Sequence, residues 1–255
     1  MSYLERLTGW LRGLMGSKPA ATPTSTEQAA RRKRRRSRSG EAKPASATPA
    51  KTPRVRPPLL AKADIQALPD FPGLTIAAIS VAEGNEAVAA ACLALTSHKV
   101  LGFDTESKPT FNKGEVAQGP HLIQLSSETH GYLFPVRNNQ LPAPLKALLE
   151  SEQIRKVGFD LRSDLAMLAS NTGVHCRGVD DLVGRFRKLG YSNTVGAVQA
   201  VALLFRQHYR KSKSAKMSNW AAAQLSESQQ RYAANDAYVA LRVYQALQRS
   251  KPASA

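Results

Sequence analysis

Cysteine is nearly missing from this chain of 255 residues: Cys92 and Cys176 are the whole supply, with no Cys-x-x-Cys spacing. That excludes a disulfide framework and a thiolate zinc site. It suits a reducing compartment, so a cytoplasmic location is expected, nucleoid-associated or, in a eukaryote, nuclear. Long hydrophobic runs are missing too. No stretch of about 18 apolar residues occurs, so no transmembrane helix is expected. The leading residues carry only an interrupted apolar pattern, Leu4, Leu7, Trp10, Leu11 and Leu14 broken by Gly9 and Gly13, which is no secretory signal. Acidic residues are scarce: 19 Asp and Glu stand against 36 Lys and Arg, a formal net charge of +17. Such a balance favours a polyanionic partner, nucleic acid ahead of an anionic membrane surface.

The charge is unevenly spread. Residues 1–58 hold 14 Lys and Arg against three acids, including the run Arg31-Arg32-Lys33-Arg34-Arg35-Arg36. Their Pro, Ala, Ser and Thr content cannot bury enough apolar surface to offset ordering entropy, so a disordered basic tail is expected there. Its readings are a nucleic-acid tether, a nuclear import signal or a plain solubilising linker. Tyr3–Met15 could form a short amphipathic helix for a partner or a membrane surface. Residues 59–255 read as one folded domain. Leu74–Val81, Lys99–Thr105, His121–Ser126, Gly131–Val136 and Arg155–Phe159 have strand patterns. Glu86–Ser97, Pro144–Glu150, Leu161–Ser170, Val195–Phe205 and Glu227–Gln248 have helical ones. Antiparallel strands followed by alternating helices and strands predict an α/β fold, a mixed sheet flanked by helices.

Against this scarcity of acid, a few carboxylates sit in unexpected places. Asp104 and Glu106 end the apolar run Val100-Leu101-Gly102-Phe103, and residues i and i+2 of a strand share a face. Two like charges there call for a cation between them, although Asp-Thr-Glu is also an ordinary polar strand exit. Asp164 lies three residues after Leu161 and four before Leu168, on the apolar stripe of its helix. The alternative is a first-turn acid favoured by the macrodipole, with Asp160 the better candidate for capping. Tyr232 and Asp236, four apart, share a stripe that Val239 and Val243 continue. Burying an unpaired carboxylate costs several kcal/mol. Hard oxygen donors without clustered Cys or His select Mg²⁺ or Mn²⁺, and two such ions among carboxylates is an apparatus for cleaving phosphodiesters.

The same residues carry a family resemblance. Leu101-Gly102-Phe103-Asp104-Thr105-Glu106, followed by Leu122-Ile123-Gln124-Leu125, resembles the first motif of the DEDD exonuclease superfamily. Val157-Gly158-Phe159 through Asp164-Leu165 resembles the second. Ser218-Asn219-Trp220, Leu225-Ser226 and Tyr232-Ala233-Ala234-Asn235-Asp236-Ala237-Tyr238 are similar to the third, in the variant with Tyr four residues before Asp. The pattern, spanning about Leu74 to Leu247, is most similar to Werner-type and ribonuclease D-like 3′→5′ exonuclease domains. The resemblance implies a ribonuclease H-like fold and two metal ions held by Asp104, Glu106, Asp164 and Asp236. It also implies that Tyr232 positions the attacking water. One departure is Ser107-Lys108 after Glu106, where Werner-type domains usually carry Trp or another large residue.

Just before the third motif, Arg206, Arg210, Lys211, Lys213 and Lys216 occur without an intervening acid. They are candidates for holding a nucleic-acid backbone, or a solvated loop. DNA is the favoured substrate. An exoribonuclease is the alternative, and an inactive nucleic-acid-binding protein a third reading.

Overall fold

The computed structural model describes residues 58–110 and 118–249. The expected tail and the Tyr3–Met15 segment lie outside the described residues. Among these, α1 (Lys62–Gln66) and a single 3₁₀ turn (Ile76–Ala78) lead into β1 (Ile79–Val81), α2 (Asn85–Leu95) and three longer strands, β2 (Val100–Glu106), β3 (Leu122–Ser126) and β4 (Gly131–Pro135). Then come α3 (Ala143–Glu150), β5 (Arg155–Gly158), α4 (Arg162–Thr172), β6 (Val179–Asp181) and α5 (Leu182–Lys188). The described residues end with α6 (Ala197–Phe205), α7 (Lys213–Lys216) and the long α8 (Glu227–Arg249).

The described strands form a six-stranded sheet in the order β1-β4-β3-β2-β5-β6. β2, β3 and β4 are antiparallel neighbours, while β5 and β6 run parallel to β2, and β1 parallel to β4. The mixed sheet is as expected, with two corrections. Leu74–Val81 is not one strand: a 3₁₀ turn takes its middle and only Ile79–Val81 pairs, alongside β4. β6 and α5 were not legible, because Val179-Asp180-Asp181 is too short and too acidic to read as a strand.

Alternation along β2 divides the core. Leu101 and Phe103 are fully buried against α2, α3 and α4 on one face. Gly102, Asp104 and Glu106 face the other side, where α8 lies across the sheet. α8 comes close because its inner stripe is rich in alanine, Ala233, Ala234, Ala237 and Ala240 all being buried. Gly102 completes the approach: a β carbon there would stand 1.9 Å from the Ala237 carbonyl oxygen. The start of α8 is fixed by a capping box. Ser226 Oγ accepts from the Gln229 N–H at 3.3 Å, and Gln229 Oε1 accepts from the Ser226 N–H at 3.0 Å. Gln229 Nε2 also donates to Ser218 Oγ and to the Asn219 carbonyl, tying in the segment that carries the buried Trp220.

Candidate active site

Three elements bring the acidic residues to the C-terminal end of β2, the end at which α/β sheets place their ligands. Asp104 and Glu106 come from the strand, Asp164 from the first turn of α4 and Asp236 from the middle of α8. Glu106 feels the charges of Asp104, Asp236 and Asp164, which places all four carboxyls in one electrostatic neighbourhood. Asp236 is the most enclosed, at 4% exposure.

Asp164 is held by Thr105, whose hydroxyl donates to its Oδ1 at 3.0 Å. The Thr105 N–H donates to Asp104 Oδ1 at 2.9 Å. The middle residue of Asp-Thr-Glu thus links strand and helix, a role no sequence signal marked. Asp160 does not cap α4. It adopts φ +54° and its N–H donates to Asp181, which also accepts from Leu161 and caps α5 through Val183. The carboxylate from β6 has taken the capping role, while Asp164 does lie in the first turn of α4, where the macrodipole favours an acid.

Asp236 has a partner on each oxygen. The Tyr209 hydroxyl donates to Oδ1 at 2.6 Å, and the Lys211 ammonium lies 2.7 Å from Oδ2. Tyr209 is buried edge-on against Phe71. Nothing in the sequence marked it beyond an aromatic ring inside a basic run. Tyr232 is 7% exposed and packs on Trp220 with ring centroids 5.9 Å apart, which explains the aromatic residue of Ser218-Asn219-Trp220. A cleft of about 560 Å³, lined by Phe71, Leu74, His208, Tyr209, Arg231 and Tyr232 among others, opens beside the two tyrosines.

The five basic residues do not form one loop. Arg206 ends α6 in a left-handed conformation, Arg210 pairs with Asp70, Lys211 faces Asp236, and Lys213 and Lys216 bound α7. All five are exposed, although Lys211 turns its ammonium inward.

Crowding of like charges shows in the proton affinities. Burial, then the charges of Asp236 and Asp164, push the Asp104 carboxyl up to about 8, with Lys211 opposing. Burial and the charges of Asp104 and Asp236 push Glu106 up to about 9. Burial raises Asp164 against the pull of its Thr105 hydrogen bond. The Tyr232 hydroxyl is raised by burial and then by Asp236, Glu106 and Asp104, so it stays a protonated donor. Such crowding favours added positive charge, and the oxygen donors are of the type that Mg²⁺ or Mn²⁺ takes. Among the described residues, however, no three Asp, Glu, His or Cys side chains already stand at a spacing that would hold a metal ion. Tyr209 and Lys211 hold Asp236, and Thr105 holds Asp164, each in its own hydrogen bond.

A mixed sheet of this order, crossed by a long helix, defines an α/β protein with a ribonuclease H-like fold. More particularly, the chain belongs to the 3′-5′ exonuclease family of the DEDD superfamily, whose match runs over residues 79–251. It is 29% identical over 180 residues to the mouse (Mus musculus) bifunctional 3′-5′ exonuclease/ATP-dependent helicase WRN, covering 70% of this chain but 13% of that protein. Its fold is similar to that of the Aedes aegypti Nibbler EXO domain, with a TM-score of 0.59 at 22% identity over 69% of this chain and 89% of the other. It is also similar to the Trypanosoma brucei RNase D in complex with RNA U12, with a TM-score of 0.59 at 21% identity over 74% and 65% of the two chains.

Proposed function

We propose that this chain is a metal-dependent 3′→5′ exonuclease that hydrolyses the last phosphodiester bond of a nucleic acid and releases a nucleoside 5′-monophosphate. One observation carries the reading: Asp104, Glu106 and Asp164 from β2 and α4 come into the field of Asp236 on α8, which follows Tyr232 by one helical turn. Asp104, Glu106 and Asp236 would hold one ion, and Asp104 with Asp164 the other. When bound, two such ions activate water and steady the departing 3′ oxygen.

The chain's own residues supply the rest. Tyr232 donates a hydrogen bond that fixes the angle of the attacking water. Tyr209 orients Asp236 by occupying one oxygen, with the Lys211 ammonium on the other. Thr105 keeps Asp164 facing the end of β2. The exposed Arg206, Lys213 and Lys216 draw in the phosphate backbone without reading its sequence.

DNA is the first reading of the substrate, from the resemblance of the motifs to Werner-type domains. RNA is the second, because a protein of similar fold was captured with RNA U12. Parallel digestion of matched 5′-labelled DNA and RNA oligonucleotides, single-stranded and duplex, in Mg²⁺ and in chelator decides between them. Shortening from the 3′ end that stops in chelator is expected; cleavage that persists in chelator removes the metal from the account.

A further inference from the structure

We propose that Lys211 is the resident cation of the metal-free site, displaced from Asp236 by an entering metal ion and delivered to the phosphate of the bound 3′ end. The inference rests on the two-metal reading above and adds to it a residue that alternates between enzyme and substrate.

The geometry at Asp236 leads there. Its Oδ1 is held by the Tyr209 hydroxyl at 2.6 Å, and Tyr209 is fixed by its burial against Phe71. The backbone beside it is fixed as well, since the Phe71 N–H donates to the His208 carbonyl and the His208 N–H to the Pro69 carbonyl. The Lys211 ammonium stands 2.7 Å from the other oxygen, Oδ2. That ammonium also lies 5.2 Å from the Tyr232 ring centroid and 5.9 Å from that of Tyr209, an aromatic setting that suits a positive charge.

Tyr209 and Lys211 differ in their freedom. Tyr209 is buried, whereas the Lys211 side chain is 34% exposed, on a segment without helix or strand just ahead of α7. A lysine is a compact charge on a flexible four-carbon stem, suited to changing partners. Two divalent ions match the charge of four carboxylates, so an ammonium on the same oxygen as a metal would meet like-charge repulsion. Arg210, one residue earlier, is directed away to an exposed ion pair with Asp70. Lys211 therefore has to leave as metal enters. Its stem keeps it beside Tyr232, within reach of a phosphate bound at this site.

The test is a calorimetric Mn²⁺ titration of the full chain without nucleic acid, in wild type, Lys211→Met, Lys211→Gln and Asp104→Ala, with KM for a single-stranded oligonucleotide measured beside it. Lys211→Met keeps the stem and removes the charge. It should bind Mn²⁺ roughly 10-fold more tightly, the equivalent of about 1.4 kcal/mol, while its KM rises several-fold. Lys211→Gln should move both readouts the same way, and its agreement guards against a folding defect in either variant. Unchanged or weaker Mn²⁺ binding in the two neutral variants overturns the displacement, while the two-metal reading stands if Asp104→Ala alone loses the ion. Binding that survives in Asp104→Ala puts the metal elsewhere and ends both. Tighter Mn²⁺ binding with an unaltered KM overturns the delivery to phosphate.

Discussion

Gly102 on β2 and Ala237 on α8 meet backbone to backbone: a β carbon at position 102 would stand 1.9 Å from the Ala237 carbonyl oxygen. Asp236 precedes Ala237 and Asp104 follows Gly102 by two residues, so this close approach sets the spacing of the two carboxylates. Gly102→Ala should push α8 outward and cost about 1–3 kcal/mol, the usual range for overpacking. Urea denaturation measures the stability, and 3′-end hydrolysis should fall further than the loss of folded protein explains. A variant of wild-type stability and rate would show that the helix is not held there.

The two tyrosines should fail differently. Tyr232→Phe keeps the ring on Trp220 and loses the hydroxyl, so kcat should fall about 100-fold, as for a missing water-orienting group, with KM little changed. Tyr209→Phe removes the 2.6 Å bond to Asp236, a hydrogen bond to a charged group worth about 1.5–3 kcal/mol. It should weaken Mn²⁺ binding as well as turnover. Steady-state kinetics with Mn²⁺ titration separates them; equal profiles would reject the assigned division of roles.

The strand pattern and acidic spacing of β2 carried most of the fold and site. Leu101 and Phe103 alternate with Asp104 and Glu106, so one seven-residue strand announces both a buried face and a loaded one. α8 was equally legible, since Tyr232, Asp236, Val239 and Val243 fall on one stripe. β6 was not, because a three-residue strand beside β5 gains its stability from pairing and carries no periodicity of its own. Asp181 escaped notice for the same reason: its work on Asp160, Leu161 and Val183 depends on β6 lying next to the start of α4. The basic run was visible as charge, but its division was not. Burial of Tyr209 turns Lys211 inward to Asp236, while Arg206, Lys213 and Lys216 stay outside.

That division gives a prediction for binding. Arg206→Ala, Lys213→Ala and Lys216→Ala together should weaken affinity for a single-stranded oligonucleotide. They should also lower the slope of log affinity against log salt by about 0.7 for each phosphate that is no longer neutralised. Arg210→Ala should change the slope little, since Arg210 already pairs with Asp70. Fluorescence anisotropy across a salt series checks this; an unaltered slope in the triple variant removes the surface from substrate binding.

Proton affinities predict a pH dependence of stability. Asp104 and Glu106, raised from 3.8 and 4.5 to about 8 and about 9, bind protons more tightly in the folded state than in the unfolded one. Their contribution is complete below about pH 4 and is lost as pH rises through 8 and 9. In chelator the melting temperature should therefore fall between pH 6 and 9. Asp104→Asn should flatten that fall and raise the melting temperature at pH 8, because a neutral amide removes the repulsion. Mn²⁺ should flatten it too, by supplying the missing positive charge. A wild-type profile that does not fall in chelator would contradict the crowding of these carboxyls.

The most direct test of the account is the time course of 5′-labelled oligonucleotide digestion in Mg²⁺, wild type against Asp104→Ala. The wild type should shorten the strand one nucleotide at a time from its 3′ end and release nucleoside 5′-monophosphates, with both stopping in chelator. Asp104→Ala should leave the strand at full length while still binding it. Equal digestion by the two proteins, or none by the folded wild type on any DNA or RNA substrate, would contradict the central claim.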